Sequence, residues 1–102
     1  MNTEEKFIVL QEAVTKACSQ KDYFIARDVA ASLGFTETEQ PRSITLSIKY
    51  EYRDSGGRSI VLIFHSYDPS GPFQNLPDVN KFDLKLIGTS SVEKEFSCSY
   101  ED

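Results

Sequence analysis

Ile44-Thr45-Leu46-Ser47-Ile48-Lys49-Tyr50-Glu51-Tyr52-Arg53 is followed by Asp54-Ser55-Gly56-Gly57-Arg58 and then by Ile60-Val61-Leu62-Ile63-Phe64. The first run alternates apolar and polar residues without a break. A period of two is the mark of a strand with one dry face and one wet face. The second run is apolar at every position, so the expectation is a strand covered on both faces. The glycine-bearing segment between them turns the chain, and the whole reads as a β-hairpin from Ile44 to Tyr67.

The register of this hairpin follows from the side chains. A loop of Gly56-Gly57 alone would set Tyr52 opposite Val61 and would leave Leu62 and Phe64 facing Glu51 and Lys49. A loop of Ser55-Gly56-Gly57 instead sets Tyr52 against Ile60, Tyr50 against Leu62 and Ile48 against Phe64, with Asp54 opposite Arg58. A one-residue slip exchanges whole faces, so the hydrophobic pattern selects the second arrangement. Such loops end on a left-handed residue, and Gly57 takes that conformation cheaply.

Outward from the hairpin, Asn2 and Glu5 have the spacing of a capping box. Phe7, Leu10, Val14 and Ala17 recur at helical spacing, with Ile8 and Cys18 widening the stripe, which predicts a helix over Thr3 to Ser19. After a break at Gln20-Lys21-Asp22, Ile25, Val29 and Leu33 share a second helical face and Gly34 stops it. Thr36 to Gln40 is polar and reads as a connector. Phe82, Leu84 and Leu86 alternate with Asp83 and Lys85, and Phe96, Cys98 and Tyr100 alternate with Glu95, Ser97 and Ser99, giving two further strands around a turn at Gly88 to Ser91. The expectation is a single α+β domain over residues 1–102: two N-terminal helices packed on a four-stranded antiparallel meander.

Val29-Ala30-Ala31-Ser32-Leu33-Gly34 resembles the first helix of helix-turn-helix units. That resemblance implies a recognition helix over Pro41 to Tyr50, a wing from Arg53 to Phe64 and a DNA-binding regulator. The unbroken alternation from Ile44 to Tyr52 opposes it, and so do the sparse basic residues. This winged-helix reading is the alternative, not the leading one.

Composition narrows function further. Sixteen acidic against eleven basic residues give a net charge of −5. Phosphate neutralisation needs clustered Lys and Arg, so nucleic acid is a poor partner and a basic protein a better one. No apolar run reaches the ~18 residues of a membrane span. Met1-Asn2-Thr3-Glu4-Glu5 lacks the basic start and apolar core of a secretory signal, so a cytoplasmic location is expected. Cys18 and Cys98 fall on apolar faces and are read as two reduced core thiols.

No motif implies a metal, a cofactor or a catalytic centre. A single histidine and two distant cysteines cannot make a zinc quartet, and Gly56-Gly57 precedes no helix start that could cradle phosphate. His65 would need a carboxylate such as Glu51 to act as a general base. The expectation is therefore a non-catalytic protein-binding module. Small acidic proteins of this build include immunity proteins and inhibitors that mask the cleft of a basic nuclease toxin or other nucleic-acid enzyme. The analogy rests on size and charge. Asp68 to Lys81 is a long, proline-bearing loop of the kind that binds. The contact residues expected from these arguments are Tyr67, Asp68, Phe73, Asp78, Asp83 and Glu51. If the helices cover only the Tyr50–Leu62 side, Val61, Ile63, His65 and Tyr67 are expected to form a patch that a partner covers.

Overall fold

A computed structural model describes residues 1–39, 45–67 and 79–100. The chain runs α1 (Thr3–Gln20), α2 (Tyr23–Ser32), β1 (Thr36–Glu39), β2 (Thr45–Arg53), β3 (Ser59–Tyr67), β4 (Val79–Ile87) and β5 (Val92–Ser99). The strands form one antiparallel sheet in sequence order, β1-β2-β3-β4-β5. The architecture is the expected α+β meander with helices packed on the sheet, but the sheet has five strands rather than four.

The additional strand is β1, read from sequence as a connector. Its residues Thr-Glu-Thr-Glu carry no apolar alternation. It is a strand because β2 offers it an edge: Thr36 pairs with Glu51 and Glu39 with Ile48. Backbone groups, not side chains, make that pairing. A short, charged edge strand also resists pairing with other chains.

The hairpin register is the one the hydrophobic pattern selects. Ile48 stands opposite Phe64, Tyr50 opposite Leu62 and Tyr52 opposite Ile60. Gly57 has φ +85°, the left-handed residue the three-residue loop requires. Asp54 and Arg58 do face each other, but not as a side-chain ion pair. Asp54 Oδ1 accepts the backbone N–H groups of Gly56 and Arg58, both at 2.9 Å. The Arg58 guanidinium turns away to Glu93 (Nε to Oε2, 2.9 Å) and to Glu4 (Nη2 to Oε1, 3.2 Å).

Both helices lie on the same face of the sheet. Helix α1 starts with the expected capping box: Glu5 N–H donates to Asn2 Oδ1 at 2.8 Å, and Asn2 N–H to Glu5 Oε1 at 3.3 Å. Its inner stripe is Phe7, Leu10, Ala13, Val14, Ala17 and Cys18, all buried. Ile8, expected in that stripe, is instead 48 % exposed. Helix α2 begins at Asp22, which caps it by accepting Phe24 N–H at 3.1 Å. Ala26 and Ala30 are its fully buried residues, while Ile25, Val29 and Leu33 pack partly buried against the core. Small residues at these positions let α2 approach closely, and Lys6 Nζ ties α1 to it by donating to Leu33 O at 3.1 Å.

The core is centred on β3 and β4. Phe64, Phe82, Ile60, Leu62, Leu84 and Leu86 are fully buried beneath Leu10 and Val14 of α1. Each such side chain contributes roughly 1.5–3 kcal/mol relative to exposure. Phe64 packs edge-on against Phe82, Tyr50 and Tyr23, with ring centroids 5.5–5.7 Å apart.

Cys18 and Cys98 correct the reading as free thiols. They form a disulfide between the last turn of α1 and β5, with Cα atoms 6.4 Å apart and 80 residues apart in sequence. Apolar faces bring both residues to the same seam, and the Cα spacing suits a bridge.

Candidate protein-binding surfaces

Two surfaces come into question: the sheet face away from the helices, and the end of the molecule formed by α2 and β1.

The first carries the residues that sequence reasoning singled out. Strand parity places Lys49, Glu51 and Arg53 of β2, Val61, Ile63 and His65 of β3, Lys81, Asp83 and Lys85 of β4, and Glu95 of β5 on this open face. Glu51 and Asp83 are thus brought to one side, flanking β3: Glu51 opposite Val61 and Asp83 opposite Ile63. Tyr67 ends β3, with its side chain outside the described residues. Asp68, Phe73 and Asp78 also lie outside the described residues. Of the loop expected over Asp68 to Lys81, its last residues, Val79 to Lys81, belong to β4.

The charges of this face answer one another. Lys49 Nζ lies 3.4 Å from Glu51 Oε2, Arg53 Nη2 3.5 Å from Glu51 Oε1, and Lys85 Nζ 3.9 Å from Glu95 Oε1. His65 Nε2 lies 2.7 Å from Asp83 Oδ2. The carboxylate beside His65 is therefore Asp83, diagonal to it on β4, and not Glu51 on β2. Among the described residues no helix covers the face, yet Val61 is only 7 % exposed. Glu51 and Lys85 stand on either side of it, and long charged side chains bury apolar surface under their stems. Among the described residues, the face sets Val61 and Ile63 at its centre between charged side chains. Four basic residues (Lys49, Arg53, Lys81, Lys85) meet three acidic ones (Glu51, Asp83, Glu95) on it.

The second surface carries the larger share of the acid excess. Between Asp22 and Glu39 the chain holds four acids, Asp22, Asp28, Glu37 and Glu39, against Arg27 as the one base. Half-buried aromatic rings sit beside Asp22, Asp28 and Glu37, the Glu39 side chain lying outside the described residues. Tyr23 and Phe24 stack with centroids 4.3 Å apart, and the Arg27 guanidinium lies 4.4 Å from the centre of the Phe24 ring. Tyr50 Oη donates to Glu37 Oε2 at 3.4 Å, joining the rim of β1 to the core. Burial raises the Tyr50 hydroxyl above its usual range, and the Glu37 carboxylate adds to the effect. Burial also raises Tyr23, with Arg27 opposing it.

Sequence reasoning reaches Glu37, Glu39 and the end of the second helix only as second-choice contacts, and it misses Tyr23 and Phe24 beside them. Their signal was Asp22, which read as the end of the Gln20-Lys21-Asp22 break rather than as a cap with Tyr23 and Phe24 on the first turn. No family model, curated protein or solved structure matches the chain. Among the described residues, no helix is long and apolar enough to cross a membrane.

Proposed function

We propose that this protein is a small non-catalytic binding module that masks the nucleic-acid cleft of a basic partner, as an immunity protein or inhibitor of a nuclease would. The observation that carries this reading is the segregation of charge. Among the described residues the open sheet face carries nearly equal charges, most of them paired within it, whereas the α2–β1 end combines an acid excess with half-buried Tyr23 and Phe24. Aromatic anchors ringed by charge suit a desolvated contact, and an acidic rim speeds encounter with a basic surface. This reading moves the centre of the contact from Glu51 and Asp83 to Tyr23, Phe24, Asp28 and Glu37.

The test is functional. Nuclease activity of a native lysate, and of purified basic nucleases, is measured with and without the protein. Inhibition that weakens with salt is the expected result, and it should fall at least tenfold, about 1.4 kcal/mol, in Asp28→Lys/Glu37→Lys. Absence of inhibition, or inhibition untouched by that double substitution, overturns the reading.

The cytoplasmic location expected from sequence belongs to this proposal as well. The Cys18–Cys98 bond speaks against it, because disulfides persist mainly in oxidising compartments. Alkylating thiols in intact cells before extraction, then counting modified cysteines, decides between the two.

A further inference from the structure

The disulfide is placed where it controls one strand rather than the core. Cys98 belongs to β5, which among the described residues is an edge strand with β4 as its one neighbour in the sheet. The largest fully buried side chains come from α1, β3 and β4, and none from β5. Toward its end, β5 offers only Phe96 and Cys98 as partly buried apolar groups, opposite Leu84 and Phe82. Its start is fastened separately by Glu93 on Arg58. Among what holds its last residues are the ladder to β4, the bond to Cys18 and the Tyr100 ring beneath Lys21 Nζ at 5.7 Å.

We propose that Cys18–Cys98 is a redox-controlled clasp on the edge of the sheet. Oxidised, it fastens the second half of β5 to the end of α1. Reduced, it lets that half of β5 leave the sheet while the helices and β2–β4 keep their packing. The reductant is a small thiol of the glutathione class. Its thiolate attacks the Sγ of half-buried Cys98, since Cys18 is only 6 % exposed. The S–S bond breaks, and Cys18 departs as a thiolate and takes a proton. A second thiol then resolves the mixed disulfide, leaving Cys98 reduced and the two small thiols joined as a disulfide. Segments with few buried contacts open at low cost. Opening here bares the N–H and C=O groups along β4, an edge to which another strand can add. This inference does not depend on the binding reading above.

Amide hydrogen exchange tests it on the intact chain, oxidised, equilibrated with glutathione, and as Cys18→Ser/Cys98→Ser. With a tenfold excess of reduced over oxidised glutathione the bond should open, counted by alkylation and mass. Amides of residues 96–99 that bond to β4 should then exchange more than tenfold faster, by a larger factor than Leu62 and Leu84, and the double serine variant should match the reduced protein. A bond that stays closed under that excess, exchange that quickens equally across β3, β4 and β5, or a serine variant that fails to fold each overturns the clasp.

Discussion

Leu62 and Ile63 are neighbours on the central strand, and the structure assigns them very different energies. Leu62 lies between Tyr50 and Leu84 on the helix-covered face and is fully buried. Ile63 lies between Lys49 and Asp83 on the open face and is half-buried. Leu62→Ala removes the equivalent of about three methylene groups, near 2.4 kcal/mol of transfer free energy at ~0.8 kcal/mol each. The cavity adds to this, because α1 and the neighbouring rings relax only in part, so a loss of about 3–4 kcal/mol is expected. Ile63→Ala removes as many carbons but leaves no closed cavity, and water already reaches part of the side chain. Its expected cost is about 1 kcal/mol. Equilibrium urea unfolding checks both. With a slope near 1 kcal/mol/M for so small a domain, the midpoints should fall by roughly 3 M and 1 M respectively. Equal losses would refute the reasoning, since they would mean that β3 is covered alike on both faces, as its wholly apolar sequence first suggests.

Three further outcomes follow from local geometry. Gly57→Ala should cost about 1–2 kcal/mol in the same assay, because φ is +85° while the nearest atom to an added methyl, Thr89 Cγ2, is at an ordinary 3.6 Å. Asn2→Ala should cost about 1 kcal/mol by breaking the capping box. Asp54 is held below its ordinary value of 3.8, first by the Thr3 hydroxyl and then by the Arg58 backbone N–H. A lowered folded value means that its contribution is present above pH ~4 and is lost as pH falls through the folded value. Stability measured between pH 5 and 2 should thus decline less steeply in Asp54→Asn than in the parent.

The parts of this fold legible in the sequence were those set by neighbours along the chain. Alternation from Ile48 to Tyr52 against an apolar partner specified the hairpin register, because parity leaves only one pairing that keeps Leu62 and Phe64 dry. Asn2 and Glu5 announced the helix start because a capping box closes within one turn. The rest depended on groups that meet only through the tertiary fold. Thr36–Glu39 becomes a strand because the edge of β2 supplies its hydrogen bonds, and its own side chains say nothing of it. His65 finds Asp83 rather than Glu51 because the diagonal neighbour on β4 reaches it. The acid excess at α2 and β1 counts as a surface because Glu37 folds beside Tyr23 and Tyr50. Cys18 and Cys98 become partners because packing α1 across β5 closes an 80-residue separation that no local pattern records.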